Sequence, residues 1–164
     1  MFAILKKYKK VQNIKIIVPK DVKLVFDKYK QMDEDSVEAC GILIGQHSVD
    51  KRNIIIDTAT SPSKSDKREK YYFKIDSKPH QQILDGKFIE SQKESVYLGT
   101  WHSHPEPIPT PSKCDIKDWK KQYRENKHLF DNMIFVIVGK TTIKYWIINK
   151  NRLSKIKEDL ISYE

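Results

Sequence analysis

Two cysteines in 164 residues, Cys40 and Cys114, cannot build a disulfide framework, and such sparse use fits a reducing compartment. Long hydrophobic runs are also missing: no stretch approaches the ~20 apolar residues that span a bilayer. The apolar start Met1–Leu5 is followed at once by Lys6, Lys7, Lys9 and Lys10. A secretory leader has the reverse order, charge first and then a longer apolar core. These absences predict a cytoplasmic protein without a membrane partner. Internal repeats are lacking as well. The hydrophobic fraction of 38% is below the globular average, yet aromatics reach 10%, more than disordered chains carry. The length suits one compact domain and leaves no room for two, so residues 1–164 are expected to form a single domain.

The charge is lopsided, with 31 Lys and Arg against 22 Asp and Glu, a net of +9. The lysines are scattered along the chain. The densest basic stretch, Lys64–Lys70, is interrupted by Asp66 and Glu69, and no helix carries a continuous basic stripe. This pattern reads as a solvated surface rather than a nucleic-acid groove.

Periodicity predicts a mixed α/β domain, one sheet of mixed strands with a few helices against it. Strands are expected at 13–18, 38–45, 53–60, 71–75 and 96–104, and a hairpin at 133–148 around Gly139-Lys140. Helices are expected at 19–32, with Pro19 in the first turn, at 77–91 with Ser77 as cap, and at 112–126. The second would turn Ile83, Leu84 and Phe88 inward. The third would turn Ile116, Trp119 and Tyr123 inward. Residues 61–70 contain no apolar side chain and read as a mobile loop. The last ten residues read as a short helix.

The informative stretch is 99–118, GTWHSHPEPIPTPSKCDIKD. His102 and His104 stand two apart, so on a strand both imidazoles point to one face and can share a divalent metal. A catalytic zinc has three protein ligands and an open position. Asp115, 11 residues beyond His104 and in the first turn of the third helix, supplies a carboxylate where helix termini favour one. Pro105, Pro107, Pro109 and Pro111 restrict the connection before folding. Each fragment also has a purely structural reading. Ser112 with Asp115 is a variant capping box, and His-Ser-His can be a surface strand. A Cys114 thiolate is an alternative ligand. Cys40 and Cys114 otherwise read as small packed residues, His47, His80 and His128 as surface or satisfied histidines, and Trp101 as packing beside the site.

The run His102-Ser103-His104-Pro105 followed by Ser112 and Asp115 resembles the JAMM motif of the MPN (JAB) metallopeptidases. The family's upstream glutamate is matched by Glu38, which precedes ACGILIG, and the predicted elements agree in order over about 14–148. The resemblance implies a single MPN domain, an α/β fold whose mixed curved sheet packs two main helices. It implies one Zn2+ held by His102, His104 and Asp115. Glu38 would hold the metal-bound water and act as general base, and Ser112 would stabilise the oxyanion. The chemistry is self-consistent, because zinc lowers the pKa of bound water toward ~7, and a nearby carboxylate can take the proton. Glu34 and Asp35 are nearby acids, but they precede a polar break, whereas Glu38 abuts an apolar strand.

The wider WHSHPEPIPTPS stretch most resembles stand-alone bacterial JAB proteins of CBASS antiphage operons. There an E1–E2-like fusion protein conjugates a cyclic-nucleotide synthase through its C-terminus, and the JAB protein removes it. The implied substrate is a protein with an extended C-terminal tail, either that synthase or a ubiquitin-like protein, bound across the cleft with the loop 61–70 at its border. Two other readings are a catalytically silent MPN scaffold that recruits partners and a JAB protease of another ubiquitin-like pathway.

Overall fold

The computed structural model describes residues 13–164; the reading of the first ten residues as no leader lies outside them. Among the described residues ten strands and three α-helices follow one another. They are β1 (Lys15–Val18), α1 (Lys20–Lys28), β2 (Cys40–His47), β3 (Asn53–Ala59), β4 (Lys67–Glu69), β5 (Tyr72–Lys74), α2 (Ser77–Glu90), β6 (Val96–Ser103), α3 (Lys113–Asn126), β7 (Asn132–Val138), β8 (Ile143–Asn149), β9 (Arg152–Lys155) and β10 (Ile161–Tyr163). Eight of the strands form a curved mixed sheet in the order β10-β1-β3-β2-β6-β7-β8-β9. β1 runs parallel to β10 and β3, and β6 parallel to β7; the other neighbours are antiparallel. β4 and β5 form a separate hairpin.

Each face of the sheet has its own apolar cluster. On one, Val22 and Phe26 of α1 pack with Ile16, Leu43, Trp101 and Val136. On the other, Trp119 and Tyr123 of α3 pack with Met133, Phe135, Ile137 and Trp146. Burying each such side chain is worth roughly 1.5–3 kcal/mol, so these helices are held by packing more than by propensity. β6 lies near the middle of the sheet and carries the His-Ser-His stretch into its best-buried part.

A bulge sets which way that stretch faces. Leu43 pairs with Gly99 and Ile44 with Tyr97, so Leu98 is the extra residue. Leu98 and Trp101 therefore both enter the α1 cluster, although they are three apart. Gly99 has φ +145°, and a Cβ there would lie 1.8 Å from the Ile134 carbonyl oxygen. Only glycine fits. Beyond the bulge normal alternation resumes. Ser103 turns to the α1 side, where its hydroxyl donates to Gln31 Oε1 and accepts from the Ala39 N–H, while His102 points to the α3 side.

Four expectations need correction. α1 ends at Lys28, short of residue 32, because the chain then turns through Tyr29 toward the buried Gln31. α2 is capped by Asp76, whose side chain accepts from the Lys78 N–H, and not by Ser77. Ile83 and Phe88 are exposed; the buried residue of α2 is His80. The last ten residues hold only a single 3-10 turn of helix, at Glu158–Leu160: they follow β9 and end in β10, which pairs with β1 and closes that edge of the sheet. Among the described residues no helix is long and apolar enough to cross a membrane.

Candidate metal centre

The loop expected to be mobile is instead pinned at its base. Asp66 is buried, and its carboxylate accepts from the backbone N–H groups of Ser63 (2.7 Å) and Asp76 (2.8 Å). His80 supplies a third donor. The Asp66 carboxylate can only accept, so the His80 Nε2–H points to Asp66 Oδ2 at 3.1 Å. In the neutral ring Nδ1 then accepts the Thr60 hydroxyl proton at 2.6 Å, while Thr60 Oγ1 accepts from the Ile42 N–H. Burial alone would raise the Asp66 pKa, but the Asp76 and Ser63 amides and the His80 ring outweigh it and hold the carboxyl below its ordinary 3.8.

Asparagine at position 66 offers one acceptor oxygen where three N–H donors and, at 3.9 Å, the Cys40 thiol converge. Asp66→Asn is therefore expected to cost about 2–3 kcal/mol, read from urea unfolding. Because the folded pKa is depressed, the wild-type advantage is full above the ordinary value and disappears as pH falls through the folded value. The stability gap between the two proteins should close in acid.

The hairpin rising from this base covers the segment that carries Glu38. The Glu38 N–H donates to the Glu69 carbonyl at 2.8 Å, Arg68 Nε donates to the Glu38 carbonyl at 2.6 Å, and Gln31 Nε2 reaches the Lys70 carbonyl at 3.1 Å. Phe73 lies over the His102 ring, with centroids 4.8 Å apart. Arg68, Glu69, Phe73, Asp66 and Gln31 were not singled out from the sequence as site residues. Their partners lie up to 72 positions away, and neither a lone glutamine nor a charged stretch without apolar residues carries a local signal for such contacts.

The residues singled out do come together. His102 is the last residue but one of β6, paired with Cys40, and the His104 N–H is held by the Val138 carbonyl. The prolines that follow are fixed from the turn between β7 and β8, since the Pro107 carbonyl accepts from the Thr141 and Thr142 amides. Ser112 then caps α3. Its hydroxyl accepts from the Asp115 N–H, and Asp115 Oδ2 accepts from the Ser112 N–H at 2.6 Å, so the capping box is formed. The same carboxylate faces the histidines: Oδ1 is 3.3 Å from His102 Nε2, and Oδ2 is 3.4 Å from His104 Nε2. The two Nε2 atoms are 3.0 Å apart. One carboxylate therefore both closes the capping box and faces the two histidines.

His102, His104 and Asp115 bring one ligand atom each within 4.8 Å of one another, and all three are largely buried. Two imidazoles and a carboxylate brought this close together are a donor set of the kind that holds a catalytic zinc. Glu38 stands beside it, buried, with Oε1 4.0 Å from His104 Nε2. Burial pushes its carboxyl up to about 7, with His104 opposing and Asp115 adding to the rise. For Asp115, burial is overcome by the hydrogen bonds of His102 and His104, and the carboxyl lies well below the usual range. Burial lowers His102 and favours its neutral, ligating form, despite Asp115. His104 is raised: burial opposes its charge, but Asp115, Glu38 and Glu106 prevail.

The remaining residues separate from this cluster. Cys40 is buried, and desolvation pushes its thiol up to about 12, which fits a packed residue. Cys114 is exposed rather than packed, and the convergent group does not include it. Trp101 is fully buried on the α1 side, between Phe26 and Tyr29, with its Nε1–H on the Thr60 carbonyl. It is out of reach of a substrate. Glu34 and Asp35 are exposed.

Residues 28–149 match the family described as prokaryotic homologues of the JAB domain. A CD-NTase/cGAS isopeptidase from Escherichia coli (strain TW11681) is 32% identical over 149 residues, covering 90% of each chain. One from Pseudomonas aeruginosa is 32% identical over 118 residues, 72% of this chain and 73% of that one. One from Vibrio cholerae is 27% identical over 124 residues, 76% and 74%. A Desulfitobacterium hafniense protein of known solution structure shares the fold, with a TM-score of 0.58, 21% identity and coverage of 91% and 92%. With the match spanning most of the sheet and the whole His102–Asp115 cluster, the chain belongs to the prokaryotic JAB-domain family.

Proposed function

We propose that this chain is a zinc-dependent isopeptidase of the JAMM type, a single metallopeptidase unit that works in the cytoplasm. It removes a C-terminally conjugated protein from its target. The observation that carries the reading is the convergence of His102, His104 and Asp115 with a buried Glu38 alongside. The conjugated protein is a nucleotide synthase of the CD-NTase class, as the names of the relatives suggest. An E1–E2-like fusion protein would attach it in the same pathway.

A zinc ion on this donor set would supply a water of lowered pKa and a Lewis acid for the scissile carbonyl. His102 and His104 would hold it through neutral Nε2 atoms, and Asp115 through its carboxylate. Glu38 takes a proton from the attacking water and later gives it to the leaving amine, a role suited to a carboxyl raised toward neutrality. The Ser112 hydroxyl already accepts the Asp115 N–H, so its own proton is free to go to the developing oxyanion. Ser112 is exposed and accessible to the substrate carbonyl. Cys114 and Ser103 have no part in this route. The extended tail lies across the cleft beside the β4–β5 hairpin, an established mode of peptide capture.

The test uses a fusion whose candidate synthase tail is joined through its C-terminus to a reporter. Incubation with the zinc-loaded protein should release the reporter at the joint, and a chelator should stop release until zinc is restored. Release that persists after complete metal stripping overturns the zinc reading. An intact fusion with a loaded protein overturns the assigned substrate.

A further inference from the structure

We infer that Glu106 is a positioning residue for His104: its carboxylate receives the Nδ1–H of that imidazole and thereby keeps Nε2 as the metal-facing nitrogen. The inference rests on the zinc reading above and concerns how the site holds its ion.

Nε2 of His104 faces the ligand cluster, 3.0 Å from His102 Nε2 and 3.4 Å from Asp115 Oδ2. A neutral ring that commits Nε2 as a ligand must carry its proton on Nδ1. That Nδ1 is buried and has no hydrogen-bond partner among the described residues. The acidic oxygen facing it is Glu106 Oε1, at 3.5 Å.

Glu106 is built to point there. Its backbone lies between Pro105 and Pro107, and its carbonyl accepts from the Lys140 N–H at 2.8 Å. Its other carboxylate oxygen, Oε2, accepts from the Thr110 N–H at 3.2 Å and lies 3.4 Å from the Thr110 hydroxyl. One oxygen is thus occupied by the turn, and the second is left for the histidine. An ordinary hydrogen bond needs the gap to close by about half an ångström. With a side chain 46% exposed, Glu106 has the freedom to close it. Carboxylates behind ligating histidines fix the ring tautomer and orientation, and their loss typically weakens metal binding by about 10–100-fold.

The test compares zinc affinity, by competition with a chromophoric chelator, in wild type, Glu106→Ala and Glu106→Gln. Glutamine offers a single acceptor oxygen: if it serves Thr110, the amide N–H2 faces another N–H. Both variants should bind zinc about 10–100-fold more weakly, with the melting temperature before metal addition unchanged. In the zinc-loaded wild type, nitrogen NMR of His104 should show a protonated, slowly exchanging Nδ1, and exchange should quicken in Glu106→Ala. Affinities within about twofold of wild type in both variants overturn the inference and leave the zinc reading standing. So does an unprotonated Nδ1 in the loaded wild type. A wild type that takes up no zinc overturns the reading beneath it and the inference together.

Discussion

Asp115→Asn is expected to abolish stoichiometric zinc uptake and to lower tail cleavage by about 10³-fold or more, since the ion's charge stabilisation is worth several kcal/mol at ~1.4 kcal/mol per tenfold. The substitution separates two jobs held by one side chain. Asparagine keeps the volume and one acceptor oxygen, so the Ser112 N–H retains its partner and α3 keeps its cap. What it loses is the negative charge that faces both Nε2 atoms. A melting temperature near that of the wild-type protein without metal, together with lost zinc, is the expected result. Full zinc occupancy in Asp115→Asn would remove Asp115 from the ligand set. His102→Ala should lose zinc as well, but it is the harsher probe. His102 is buried between Phe73 and Trp119, and alanine leaves a cavity there.

Glu38→Gln is expected to do the opposite to the two readouts: zinc stays, and turnover falls by about 10²–10⁴-fold, the usual worth of a positioned general base. Glutamine preserves the shape beside His104 and leaves the backbone bonds to Glu69 and Arg68 in place. It has no basic oxygen with which to take a proton. Metal content by elemental analysis and the cleavage rate on the same preparation decide the matter. Undiminished cleavage refutes the role of Glu38. Loss of zinc in this variant would make Glu38 a ligand.

The parts of this fold that the sequence announced are those whose signal is local. The β7–β8 hairpin follows from two apolar runs around Gly139-Lys140, and the start of α3 from Ser112 with Asp115. Trp119 and Tyr123 take the inward face that their spacing assigned. Errors arose where a distant partner decides. Ile83 and Phe88 have helical spacing, yet α2 meets the sheet through His80, because Thr60 and Asp66 reach that ring from another loop. Residues 152–163 have little apolar pattern of their own. They become strands because β8 and β1 offer open edges whose backbone groups need partners.

The site divides in the same way. A strand's twofold period, the proline-fixed connection and the cap of a helix place His102, His104, Ser112 and Asp115 within 14 positions, so their coming together could be expected from the chain alone. Local spacing says nothing about what stands opposite. Tertiary structure alone brought Glu38 to His104 from 66 positions away, set the orientation of β6 through the bulge at Leu98, and laid the Asp66-anchored hairpin over the Glu38 segment. Those contacts join segments that meet only when the sheet closes, and burial, not sequence proximity, is what holds them together.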